Sequence, residues 1–241
     1  GAVLGHEFGH FESRHTLNHF RARRSGSDII AWATVLASMS SSYAVQQSYQ
    51  DLRVQIYGDL FRFKRNQERE ADRLGVAYLN RSNLRPQAAA HFWQSMMAES
   101  ETSARVKGLG KPNYNMIAFA ASHPPDAERA GYLSELAQPD AAARDDGAAR
   151  YRAALAPWTP LFLADQIKLN DFGASEYVIQ SLAQSGWTPQ LWFARGELYR
   201  GRGNPRDLVL AAEFYGHALE MDGGLADAYR GLGLSRLKTG Q

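Results

Sequence analysis

Apolar residues recur at helical spacing along most of this chain, with turn residues punctuating them at intervals. Asp28 can cap a helix that runs to about Ala37, and Asp51 precedes a longer periodic stretch reaching about Leu79, with residues 80–85 as the break. Pro86, whose fixed φ and missing N–H suit a first helical position, opens the run over 87–97. Gly108-Leu109-Gly110-Lys111-Pro112-Asn113 is turn chemistry, and Ser122-His123-Pro124-Pro125-Asp126 is a loop feeding a helix capped near Asp126. From Pro139 to Arg150 the chain is rich in Ala, Asp and Arg and lacks large apolar side chains, so a boundary is expected there. The pattern predicts a mostly α-helical protein divided into residues 1–137, a linker or solvated helix over 138–157, and a second helical region over 158–241.

Beyond Trp158 the period changes. Trp192, Gly196, Tyr199, Ala211, Tyr215 and Ala218 fall close to the tetratricopeptide pattern, in which short side chains let two helices approach. Gly203-Asn204-Pro205-Arg206-Asp207 lengthens the inter-helix turn by about three residues against a usual repeat of about 34. Tyr229, Leu232 and Gly233 restart the pattern, and a weaker earlier unit spans 158–186. Repeats of this kind bind protein partners or their own catalytic domain and carry no chemistry of their own.

Residues 29–50 contain no charged side chain. The apolar part, 29–37, is too short to span a bilayer, and no run of about 18 apolar residues occurs anywhere. The plain expectation is a buried helix followed by a polar loop. The alternative is contact with a membrane surface, supported by the preceding Arg21, Arg23 and Arg24. Composition adds exclusions. Without cysteine there is no disulfide framework, no zinc finger and no thiol nucleophile, and a net charge of +2 gives no reason to expect nucleic acid.

The chemistry lies in His6-Glu7-Phe8-Gly9-His10. On a helix the two histidines, four apart, project from one face and can grip one zinc ion, with Glu7 beside them as a general base. Ser13 and Thr16 stand where a metzincin needs glycine and histidine, so that class is excluded. A glutamate from a later helix can supply the third ligand. In Glu68-Arg69-Glu70-Ala71-Asp72, Glu68 and Asp72 share a helix face, so Glu68 can ligate while Asp72 fixes the tautomer of a ligand histidine. Glu70 points away from Glu68 and is expected in solvent. His15, His19, His91 and His217 read as structural or surface residues.

Three ordered blocks carry a resemblance. Gly5-His6-Glu7-Phe8-Gly9-His10 with Arg14-His15, then residues 65–75, then Ser122-His123-Pro124-Pro125-Asp126-Ala127-Glu128-Arg129 resemble the zinc metallopeptidase family of the CAAX prenyl protease, HtpX, Oma-type and BepA/LoiP proteins. The resemblance covers about residues 1–137. It implies a glutamate-type zincin holding one zinc ion through His6, His10 and Glu68, with Glu7 as catalytic base and a polypeptide as substrate. It also places His123 near the metal, as a plug on the open coordination position or as an aid to the oxyanion. Arg129 would stabilise developing negative charge. The repeat-like tail resembles the BepA-like branch, which implies the bacterial periplasm or envelope, quality control of misfolded envelope proteins, and protein partners on the repeats. Family members carry a helix and a substrate-pairing edge strand before H-E-x-x-H. This sequence starts without methionine and lacks both, so it is expected to be a fragment or processed chain whose peptidase domain is incomplete at its N-terminus. The rival reading is a chaperone-like interaction protein with a silent peptidase half.

Overall fold

The structure, a computed structural model, describes residues 1–240. Among them are eleven α-helices and one short 3₁₀ stretch. In chain order these are α1 (Ala2–Glu12), α2 (His15–Ser38), α3 (Tyr43–Asn80), α4 (Ala88–Val106), α5 (Asp126–Leu136), the 3₁₀ turn Pro139–Ala143, α6 (Ala148–Leu155), α7 (Thr159–Lys168), α8 (Phe172–Ala183), α9 (Pro189–Arg202), α10 (Pro205–Met221) and α11 (Ala226–Thr239). They form two compact units: residues 1–97 with 113–146, and residues 98–112 with 147 onward. The first part of α4 belongs to one unit and its last turns to the other.

In the first unit a small core of Val76, Leu79, Ala89, Ala90 and Leu133 packs against Ala2, Leu84, Trp93 and Tyr132, joining α1, α3, α4 and α5. Alanine and glycine are frequent here because α1 lies almost directly on α3. The end of α3 is tied down by side chains: Asn80 donates to the Leu136 carbonyl, and Arg144 donates to the carbonyls of Asn80 and Ser82. These bonds satisfy carbonyls that a helix terminus otherwise leaves without partners.

Three expectations need correction. Asp28 does not start a helix, because α2 runs unbroken through it from His15. The preceding Arg-Ala-Arg-Arg run favours helix, and the Ser27 hydroxyl bonds back to the Arg23 carbonyl without interrupting the backbone. The break falls earlier, at Arg14, which adopts a left-handed φ of 51° and turns the chain between α1 and α2. Similarly, α3 begins at Tyr43 behind Ser42 rather than at Asp51. The segment over 29–37 is also not a buried helix: Ile29, Trp32 and Leu36 are exposed.

In the second unit, α7 to α11 pack as consecutive helices around Leu163, Ile179, Leu191 and Leu198, and around Ala211, Tyr215, Ala218 and Ala228. Tyr215 is fully buried because Gly196 on α9 and Gly231 on α11 flank its ring; a Cβ at Gly231 would lie 2.4 Å from it. Its hydroxyl donates to Glu197 and accepts from Arg200, so the polar end of the ring is also satisfied. Asp171 caps α8 through the Ala174 amide and also accepts from Ser103 and Lys107. Those donors outweigh burial and hold its carboxyl at about 2.

Candidate metal centre

The centre is built where α1 crosses α3. Three chemical groups face one another there: His6 Nε2 and His10 Nε2 stand 3.0 Å apart, and each lies 3.6 Å from a different oxygen of Glu68. A tetrahedral ion with ligand bonds of roughly 2.0–2.1 Å has donor atoms about 3.3 Å apart. The observed separations bracket that spacing, and two imidazole nitrogens with one carboxylate are the donor set zinc prefers. The residues therefore fit the ion.

The closeness of the helices depends on small residues. A Cβ on Gly9 would lie 2.9 Å from the Cα and carbonyl oxygen of Ala71, and one on Gly75 would lie 2.9 Å from the backbone nitrogen of His6. Gly75→Ala is accordingly expected to push α1 off α3, destabilising the protein by about 1–3 kcal/mol. Zinc retention should fall with it, because α1 carries two of the candidate ligand groups and α3 the third. Urea unfolding and metal content would test this; no change in either would mean that the crossing yields freely.

Around the ligands lies a second set of contacts. His6 Nδ1 meets Asp72 Oδ1 at 2.8 Å, which points the Nε2 lone pair toward His10 and Glu68. Asp72 is held in turn by Arg129, whose Nε and Nη2 donate to its two oxygens at 2.7 and 2.6 Å, and by the Tyr132 hydroxyl. Arg129 is itself buried, with its guanidinium 3.8 Å from the centre of the Trp93 ring. Two of its nitrogens are engaged by Asp72 and the third, Nη1, is 3.8 Å from Glu68, while the side chain also lines the cavity beside the cluster.

On the other flank His15 is buried, with Nδ1 2.8 Å from His10 Nδ1 and Nε2 3.3 Å from Glu70, whose other oxygen accepts from Ser13. One proton order satisfies the whole chain: Glu70 accepts from His15 Nε2–H, and His15 Nδ1 accepts from His10 Nδ1–H. His10 Nε2 is then left with its lone pair facing the ligand cluster. His15 and Glu70 thus fix the orientation of the His10 ring, a contact that helical spacing did not reveal. Their pairing is long-range and depends on the turn at Arg14. The one available signal was the Arg14-His15 pair following the first motif.

Charge follows from these contacts. Burial opposes a charged imidazole at His6, but hydrogen bonds to Asp72 and Glu68 outweigh it and raise its pKa to about 9. Burial likewise opposes the Glu68 carboxylate, yet His6 and His123 hold it down at about 2. In the metal-free protein the His6 contribution to stability is full below the ordinary imidazole value and is lost as pH rises through about 9. A metal ligand must be neutral imidazole, so ion binding at neutral pH displaces a proton from this site.

His123 comes into the same group: its Nδ1 is 3.0 Å from Glu68 Oε2, and most of its side chain is exposed. His6, Glu7, Glu68 and His123 line one side of a cavity of about 370 Å³, with Phe92 and Trp93 among its apolar walls.

A family model described as Peptidase family M48 matches residues 1–137. The chain belongs to peptidase family M48. No curated protein and no solved structure matches it. M48 members are zinc metallopeptidases, so family membership and the His6, His10 and Glu68 cluster agree on a metal-dependent protease.

Proposed function

We propose that this M48 peptidase is a zinc metalloendopeptidase with His6, His10 and Glu68 as the ligands of one zinc ion and Glu7 as the general base. The observation that carries the reading is the convergence of three ligand groups at the edge of an open cavity that Glu7 also lines. Zinc held there would supply Lewis-acid polarisation of the scissile carbonyl and lower the pKa of water. Glu7 is exposed and forms no hydrogen bond or ion pair among the described residues, so its carboxylate is free to accept a proton. It takes that proton from the attacking water as the C–O bond forms. It returns it to the leaving nitrogen as the C–N bond breaks. Asp72 and His15 keep the two imidazoles in the required tautomers throughout. Polypeptides of the bacterial envelope are the substrates implied by the family resemblance, and the helices of the second unit, read as tetratricopeptide-like, are the surface for protein partners.

Metal analysis tests the assignment. The purified chain should hold close to one zinc, and Glu68→Gln should lose it on mild chelation because an amide is a weaker ligand than a carboxylate. Full occupancy of the variant would overturn the ligand set. His123, beside Glu68 on a loop stiffened by Pro124 and Pro125, is assigned as a plug on the open coordination position. His123→Ala should then raise basal cleavage of unfolded casein with zinc retained, whereas a fall in cleavage would instead assign the imidazole to the transition state.

A further inference from the structure

The hairpin formed by α2 and α3 carries features that the metal centre does not use. Ile29, Trp32 and Leu36 of α2 and its C-cap Met39 recur at helical spacing along one stripe. They are 51, 72, 66 and 79 % exposed, and Tyr43 at the start of α3 is 82 % exposed. A helix of a globular protein turns such a stripe inward, so this one lacks its partner. The stripe lies within residues 29–50, where no charged side chain occurs.

The polar residues of this segment do not offset its apolar character, because many of their groups bond back onto the hairpin. Ser38 and Thr34 donate to the carbonyls of Val35 and Ile30, Thr34 also meets the Tyr49 hydroxyl, and Gln46 donates to the carbonyls of Ala37 and Ser40. These bonds occupy the Val35, Ala37 and Ser40 carbonyls at the end of α2 and in the turn that follows, which lowers the cost of placing that end in a low-dielectric medium.

A cationic cavity adjoins this uncharged end. It measures about 330 Å³ and lies between α2 and α3, with His19, Arg23 and Lys64 on its polar wall and Ile30, Tyr57 and Phe61 among its apolar lining. No carboxylate lines it, and the three basic side chains form no hydrogen bond or ion pair among the described residues. From Ile30 to the end of α2 the helix rises about 12 Å. That is close to the roughly 15 Å of hydrocarbon in one leaflet of a bilayer. With the cavity at the level of the phosphates, Trp32, Leu36 and Met39 would reach the acyl chains. Among the described residues no helix is long and apolar enough to cross a membrane, so the hairpin is placed in one leaflet only.

We propose that the α2–α3 hairpin docks this protein on an anionic phospholipid surface, with the apolar stripe inserted in one leaflet and a headgroup phosphate held by His19, Arg23 and Lys64. The occupant follows from the pairing of an apolar end with the unpaired cations Arg23 and Lys64 and the His19 imidazole beside them, since an apolar protein partner would leave both cations unmatched. Zinc and peptidase activity play no part in it.

Sedimentation of the full chain with vesicles tests the proposal. Binding is expected with an equal mixture of phosphatidylglycerol and phosphatidylcholine, and not with phosphatidylcholine alone. Excess inorganic phosphate should leave it in place at matched ionic strength; release by phosphate would mean a free-anion site and overturn the proposal. Two double variants, Trp32→Ser with Met39→Ser and Arg23→Glu with Lys64→Glu, should each lower the partition coefficient at least about tenfold. All four positions are on or near the surface, and circular dichroism would confirm that the variants fold. Failure to bind the mixed vesicles would overturn the proposal. So would full binding by the serine variant, which would leave only a surface electrostatic contact. If the wild-type chain instead self-associates through the stripe, losing that association in the serine variant without binding vesicles, a second copy is the occupant and the proposal is wrong.

Discussion

Glu7→Gln is expected to abolish proteolysis while leaving zinc in place. Glutamine keeps the size and reach of the side chain but cannot accept a proton from water at neutral pH. General base catalysis contributes roughly 10²- to 10⁴-fold, so kcat should fall by at least about a hundredfold. The ligands are separate groups: His6 and His10 lie on the face of α1 turned toward Glu68, whereas Glu7 makes no contact with the Asp72 or His15 networks. Metal content and thermal stability should therefore match the wild type. Cleavage of unfolded casein by zinc-loaded variant and wild type, compared at equal metal content, provides the measurement. Activity within a few fold of wild type would show that another group accepts the proton, and the assignment of Glu7 would fail.

The parts of this site that were legible in the sequence are those with local geometry. An i, i+4 spacing puts His6 beside His10, and the same spacing puts Glu68 beside Asp72, whichever protein contains the helices. What could not be read was whatever depends on the angle between helices. His15 reaches His10 because Arg14 takes a left-handed conformation, and no local rule favours that conformation for arginine. Tyr132 and Trp93 come from α5 and α4, and nothing in their own neighbourhoods marks them as supports of Asp72 and Arg129.

The helix ends show the same division between local and tertiary causes. Asp28 is a good N-cap by type, and Ser25-Gly26-Ser27 before it are weak helix formers, yet α2 runs through them because the buried Gly26 packs closely on Ile56 and Leu60 of α3, a tertiary contact. The exposed stripe on α2 misled for a different reason. Periodicity locates an apolar face but does not say which medium that face meets. Gly9 and Gly75 were present in the motifs as letters, but their function is tertiary: each removes a Cβ that would separate α1 from α3.

Asp72→Ala is expected to have the largest effect on stability of any substitution near the centre. The side chain is buried and receives His6, two nitrogens of Arg129 and the Tyr132 hydroxyl. Removing it leaves the buried guanidinium of Arg129 with only the Trp93 face and a distant Glu68 oxygen. Breaking a buried ion pair from one side costs about 3–5 kcal/mol, chiefly because the surviving charge has lost its counter-ion and cannot return to water. Asp72→Asn separates charge from packing. It preserves volume and one acceptor, but its amide hydrogens face donors on Arg129 or His6, so the His6 tautomer is no longer enforced. That variant should fold with a smaller loss of stability and still bind zinc about 10- to 100-fold more weakly. Urea unfolding of the metal-free proteins, followed by zinc competition against a chelator, distinguishes the two effects. If Asp72→Asn holds zinc as tightly as wild type, then the geometry of α1 alone orients His6, and Asp72 serves only to neutralise Arg129.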